Sequence, residues 1–303
     1  MTLVISSALF ALMAAGAKLA TRRLPGAEVA LVRFVVGIVA TGVAVAVGVA
    51  RIRPRRWGWL AARGIFGGAA VVSYFASIQA VPVGVATLLN QTQPIYTMLF
   101  SWLLLDERPR RGALAALVLA LAGVTVIVNG GLGGSNGSHF SLDVALHAGR
   151  GELLGAFSAI ASGVAVTSVR AARRDTDDGT PSETAWAVFF SFTLLGALVT
   201  LPAVFPPFGH YIPPTGGEWA LLVGVGLVST IAQVIMSASL RHLTGVQSGI
   251  IAQLIVPITV VLGIAFLGEH LTAGFLLGAA LTVTGVLLAI LTATPRPVPP
   301  TDG

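Results

Sequence analysis

The stretch LDERPRRGALAALVLALAGV, from Leu105 to Val124, has a partner 162 positions further along, LGEHLTAGFLLGAALTVTGV, from Leu267 to Val286. Leu105, Glu107, Gly112, Leu114, Leu119, Gly123 and Val124 fall on Leu267, Glu269, Gly274, Leu276, Leu281, Gly285 and Val286. Upstream, Pro94 precedes Glu107 by thirteen residues and Pro257 precedes Glu269 by twelve, while Gly84-Val85 meets Gly245-Val246 at an offset of 161. One small gap on each side of the proline reconciles the offsets. Apolar segments match by chance more often than mixed ones, so the Pro, Glu and Gly matches carry more weight than the Leu matches. The chain reads as two copies of one module.

Hydropathy says what the module is made of. Of 303 residues, 55% are hydrophobic and 10% charged, against about 25% charged in soluble domains. The apolar residues come in blocks longer than about 18 residues, the length of a membrane span. Ten spans follow, at about 2–20, 27–49, 57–79, 83–105, 110–129, 150–171, 183–204, 218–239, 244–267 and 271–293. Each is long enough to cross a hydrocarbon core of ~30 Å at about 1.5 Å per residue. The block Thr2–Ala20 is read as the first span and not a leader, because no basic segment precedes it and further spans follow. Five spans per copy is an odd number, so the second copy enters the membrane upside down. The expected fold is an all-α membrane protein with ten transmembrane helices in two inverted five-helix repeats. The first repeat covers 2–129, an outer linker 130–149, the second repeat 150–293, and a Pro-rich tail read as disordered 294–303.

The charges set orientation. With the N-terminus in the cytoplasm, inner loops and tail hold twelve Arg: 51, 53, 55, 56, 108, 110, 111, 170, 173, 174, 241 and 296. Outer loops hold three, Arg22, Arg23 and Arg150. That bias places both termini in the cytoplasm. The formal charge of +6 is therefore a membrane-orientation signal and implies no nucleic acid. Cys is absent, which removes disulfides and thiolate metal sites.

Asn90-Gln91-Thr92-Gln93 is the most informative polar stretch, mid-span and just before Pro94. Neutral amides in hydrocarbon must find partners. On a helical wheel Asn90, Gln93, Pro94 and Thr97 share a face, whereas Gln91 and Thr92 point elsewhere. That face either lines a polar cavity or glues helices together. Gln253 stands four residues before Pro257, as Asn90 stands four before Pro94, and is the symmetric candidate. Tyr74 and Gln233 are further candidates for substrate contact, with helix packing as the alternative. Arg33 lies about six residues, or ~9 Å, inside its span. It either faces a cavity or snorkels outward, with Glu28 and Lys18 as nearby partners. Arg63 is read as a snorkeller. Glu107 and Glu269 either latch their repeats or are solvated loop carboxylates. Pro94 and Pro257 are candidate helix breaks.

Central carboxylates are missing. No Asp or Glu lies mid-span, and His139, His147, His210, His242 and His270 fall in loops or at helix ends. A metalloenzyme or intramembrane protease needs such groups buried at ligand spacing. No enzyme, metal site or cofactor is expected. Gly130–Gly137 is Gly-rich but lacks a Walker lysine and a preceding strand, so it is no nucleotide cradle.

Each half resembles an EamA domain of the drug/metabolite transporter superfamily. In the first half the resemblance rests on Ala80-Val81-Pro82-Val83-Gly84-Val85-Ala86, Pro94, Leu103-Leu104-Leu105-Asp106-Glu107, Gly112 and Gly123. In the second it rests on Leu243-Thr244-Gly245-Val246, Pro257, Phe266-Leu267-Gly268-Glu269, Gly274 and Gly285. Arg33 fits the family's arginine on the second helix, whereas the seventh span offers Phe189-Phe190-Ser191-Phe192 there. The resemblance implies a ten-helix transporter with a central cavity, carrying amino acids, their derivatives, nucleobases or small amphiphiles, often outward. The resulting expectation is a secondary transporter in a bacterial plasma membrane that exports small polar or amphiphilic metabolites by alternating access, as a monomer or homodimer. A channel or a non-transporting scaffold remains the alternative.

Overall fold

A computed structural model describes residues 2–80, 89–108, 111–131, 149–175, 181–207, 209–243, 250–255, 258, 261 and 273–291. Its nine long helices among the described residues are α1 (Thr2–Ala20), α2 (Gly26–Ala46), α3 (Trp57–Ala80), α4 (Gln93–Leu105), α5 (Arg111–Gly131), α6 (Arg150–Arg173), α7 (Ala185–Val204), α8 (Gly216–Ser239) and α9 (Ala273–Leu291). The fold is all-α, with ten helices in two repeats. Of the ninth span only residues 250–255, 258 and 261 are described. Pro257, Glu269, the linker and the tail lie outside the described residues. Five helices (α2, α3, α6, α7 and α8) have the length and apolarity to cross a membrane.

Local chemistry explains the helix ends. Thr184 Oγ1 accepts from the Ala187 amide at 3.1 Å and starts α7. Thr215 and Glu218 form a reciprocal capping box at the start of α8. Asp106, in the left-handed region at φ 54°, ends α4. That reversal turns the chain so that Glu107 meets α6.

Helix pairing is itself duplicated. Swapping the halves exchanges α1 with α6, α2 with α7, α3 with α8 and α5 with α9. Under that exchange the α3–α6 contact becomes α8–α1, and the α3–α7 contact becomes α8–α2; all four are present. The α2–α7 and α5–α9 contacts map onto themselves.

The α5–α9 crossing shows the relation at atomic detail. A methyl on Gly123 would lie 2.5 Å from the Gly278 carbonyl oxygen and equally close to the Thr282 amide. A methyl on Gly285 would lie 2.7 Å from the Ala120 amide and 2.8 Å from the Ala116 carbonyl oxygen. Positions 278 and 282 are 116 and 120 advanced by the repeat offset of 162. The later glycine packs on the earlier residues of its partner and the reverse, so the helices run antiparallel. The modules are inverted. Ala116, Ala120 and Thr282 are fully buried at this seam, where small residues let backbones touch.

The periphery is apolar. Val39, Leu103 and Val118 are 59%, 64% and 67% exposed, a surface that belongs in lipid and not in water.

Candidate functional site

The fourth span is not one continuous helix, which corrects the expectation of 83–105. Leu89 and Asn90 are helical, Gln91 and Thr92 form a turn, and α4 begins at Gln93 with Pro94 in its first turn. Proline tolerates a first turn because its missing amide has no partner to lose there. Upstream of it the helix breaks at Gln91 and Thr92. The Thr92 amide bonds back to the Leu89 carbonyl at 3.1 Å, and Thr92 Oγ1 adds a second bond to it at 2.6 Å. The second half repeats this. Residues 250–252 are helical, 253–254 form a turn, and the Leu254 amide bonds to the Ile251 carbonyl at 3.1 Å. Residues 251 and 254 are 89 and 92 plus the offset of 162. Irregular backbone in a membrane is tolerated where it lines a cavity.

The two breaks border a cavity of about 250 Å³ between the repeats. All six residues read from sequence as substrate contacts line it: Arg33, Tyr74, Asn90, Gln93, Gln233 and Gln253. Pro94 lines it as well. Gln91 also reaches it, contrary to the helical wheel, because the break at 91–92 ends the regular 100° progression. Thr97 does not line it: it is fully buried, and its carbonyl accepts from Thr167 Oγ1 at 3.4 Å.

Several amides are partly committed. Asn90 Nδ2 donates to Ser158 Oγ at 2.8 Å, and that hydroxyl donates to the Ala70 carbonyl at 2.8 Å. Asn90 thus combines the two roles open to it, cavity wall and interhelical tie. Gln253 Nε2 donates to the Gln91 carbonyl at 3.0 Å, while its Oε1 has no partner among the described residues. The Gln93 side chain makes no hydrogen bond among the described residues.

Arg63 is the residue that sequence reasoning placed wrongly. It does not snorkel: it is 5% exposed, faces the cavity, and donates from Nη2 to Gln233 Oε1 at 2.9 Å. Its guanidinium lies 4.0 Å from the Phe192 ring centroid. Arg33 lies 5.9 Å from the same ring and 5.0 Å from Phe34. Phe192 belongs to the segment where the second half lacks the arginine of the first. In place of a cation it supplies an aromatic plate flanked by both cations. Depth in a span cannot separate a snorkelling arginine from a cavity-facing one; the aromatic run at 189–192 was the available signal. Glu28 forms no ion pair with Arg33 among the described residues; its Oε2 accepts from the Ile212 amide at 3.0 Å. The Lys18 side chain lies outside what is described. Among the described residues neither arginine has a carboxylate partner, and no cluster of metal-ligating side chains occurs. A charge at mid-membrane costs roughly 2.5–3.5 kcal/mol even on insertion scales.

A second polar assembly ties helix ends of the two repeats together. Glu107 Oε1 accepts from Arg170 Nε at 2.8 Å, and Arg170 Nη1 reaches the Leu240 and Arg241 carbonyls at 2.9 and 3.0 Å. Glu107 is therefore a latch between the repeats and not a solvated loop carboxylate. Glu183 Oε1 accepts from the Arg55 and Arg56 amides at 2.5 and 2.6 Å. Arg173 donates to the Glu183 and Ser237 carbonyls.

Inverted modules around a central polar cavity define a membrane transporter architecture. The EamA-like transporter family model matches residues 1–129 and 149–291, and the chain belongs to that family. It is a transporter family, so the protein is a membrane transporter of small molecules and not an enzyme. The chain is similar to the pseudopaline exporter CntI of Pseudomonas aeruginosa, 28% identical over 239 residues covering 79% of this chain and 77% of that one. It is also similar to the uncharacterized transporter YwfM of Bacillus subtilis, 29% identical over 228 residues covering 74% and 69%. A solved crystal structure shares the fold with a TM-score of 0.76 at 22% identity, covering 96% of this chain and 94% of that one.

Proposed function

We propose that the protein is a secondary transporter that exports small polar or amphiphilic metabolites, such as amino acids or their derivatives, by alternating access. The observation that carries this reading is the placement of two equivalent helix breaks on one cavity between inverted modules. Opposed modules of like structure can exchange which side of the cavity they open. Asn90, Gln93, Gln253, Tyr74, Gln233 and Arg33 contact the substrate, and Pro94 and Pro257 permit the breaks. The name of the Pseudomonas relative supports outward flux. The repeats divide at 2–129 and 150–293, with an outer linker between them. Both termini face the cytoplasm of a bacterial cell.

The test is counterflow in proteoliposomes against a panel of labelled anionic, zwitterionic, neutral and cationic metabolites. Movement of one class that falls at least about tenfold in Asn90→Ala and Gln93→Leu supports the reading. Wild-type movement in both variants removes these residues from the site, and no movement of any class removes transport of such metabolites. Reporters fused near Arg55 and Gly137 read cytoplasmic and external in this topology.

A further inference from the structure

We infer that Arg33 and Arg63 form an oxyanion seat, so that the substrate carries net negative charge through a carboxylate or phosphoryl group. This rests on the transport reading and narrows its substrate class. Both guanidiniums line one cavity and flank one ring, Phe192, at 5.9 and 4.0 Å. No Asp, Glu or His lines that cavity among the described residues. Arg63 spends Nη2 on the neutral Gln233 amide, and Arg33 Nη1 has only the Met13 sulfur at 3.5 Å, a weak acceptor. Arg33 Nε and Nη2 and Arg63 Nε have no partner among the described residues. Two buried cations without an anion repel each other, and burial of a charge is tolerated when a counter-charge meets it. Guanidinium matches the planar oxygens of carboxylate and phosphate in paired hydrogen bonds.

Structural arginines anchoring helices would each be neutralised by a carboxylate or saturated by carbonyls. Arg170 shows that pattern, with Glu107 and two backbone carbonyls. Arg33 and Arg63 lack it. The remaining polar wall is amide: Gln93, Gln253 and Asn90 offer both donors and acceptors to the neutral part of the substrate. At about 250 Å³ the cavity sits just under the usual range for ligand pockets, about 300–1,000 Å³, which favours a small acid over a drug-sized amphiphile.

The test uses the intact protein in lipid nanodiscs. Thermal unfolding is followed with succinate, inorganic phosphate, putrescine and glycerol as separate probes. Succinate or phosphate is expected to raise the midpoint saturably, and putrescine and glycerol are not. The stronger of the two anions distinguishes carboxylate from phosphoryl recognition. Arg33→Gln and Arg63→Gln should each weaken the apparent affinity about thirtyfold or more, with Arg63→Lys recovering part of it. Lys keeps the charge and guards against a variant that fails to fold. Stabilisation by neither anion, stabilisation by putrescine, or unchanged anion affinity in both Gln variants overturns the seat. In the counterflow panel, movement of cationic or neutral compounds alone refutes the anionic class and leaves transport standing. Anion binding without movement of any compound refutes transport and leaves the seat standing.

Discussion

Gln253 donates its side-chain amide to the backbone carbonyl of Gln91 at 3.0 Å, and the turns at 91–92 and 253–254 align these two residues at the offset of 162, where counting back from the prolines pairs Gln253 with Asn90 instead. The two helix breaks are thus equivalent in sequence and joined in space. A carbonyl freed by a break needs a donor when water is scarce. Gln253 supplies that donor from the opposite module, so the bond couples the two halves at the cavity.

Gln253→Leu should therefore loosen this junction. Loss of one interhelical hydrogen bond in a membrane protein averages about 0.6 kcal/mol. An orphaned carbonyl raises the expected loss to about 1–2 kcal/mol. Unfolding of the variant in mixed micelles measures it. Full wild-type stability and transport would show that the Gln91 carbonyl finds another partner.

The α5–α9 seam makes a steric prediction. Gly123→Val and Gly285→Val each drive a side chain into the partner backbone, where nothing flexible can yield. Each should destabilise by about 1–3 kcal/mol or more. Gly42 is the contrast: a methyl there meets nothing within 4 Å. Gly42→Ala should be neutral or stabilising by about 0.4–1 kcal/mol, through the unfolded chain. Parallel thermal unfolding of the three variants separates crowding from helix propensity.

Much of this was legible before any coordinates. The repeat rested on Gly123 and Gly285, and these two positions carry the seam. All six polar candidates line the cavity, because an amide or arginine deep in an apolar span has few other places to go. Sequence reasoning failed where it assumed a regular helix. A helical wheel turns Gln91 away from the face of Asn90 and Gln93, and a continuous fourth span runs through 91–92, but the turn there interrupts both. Arg63 departs from the sequence expectation for another reason. Counting residues from a helix end gives depth but not direction, and direction depends on where α7 puts Phe192.

Ser158 links two cavity elements and gives a coupling test. Its hydroxyl accepts from Asn90 and donates to the Ala70 carbonyl, and it is fully buried. Ser158→Ala should lower stability by about 1–2 kcal/mol, since two bonds of ordinary strength are lost. Asn90→Ala in that background should cost less than it does alone, because the shared bond is already gone. Additive losses in the double-mutant cycle would show that Asn90 is held by something other than Ser158.

The Glu107–Arg170 pair yields the most demanding prediction. Arg170 is 1% exposed and Glu107 12%, so removing the carboxylate takes an anionic partner at 2.8 Å away from a buried cation. Glu107→Ala should cost about 3–5 kcal/mol, whereas Glu107→Leu with Arg170→Met should restore most of that loss. The same pair ties the end of α4 to α6 and to the Leu240 carbonyl. Breaking it should favour the state open at this end. The chain contains no cysteine, so Leu240→Cys places a single thiol at a position that is fully buried in this conformation. That thiol should be protected from a membrane-impermeant maleimide when Glu107 is present and labelled several-fold faster in the Glu107→Ala background. Equal labelling rates in the two backgrounds would mean that the pair stabilises the fold without holding the gate.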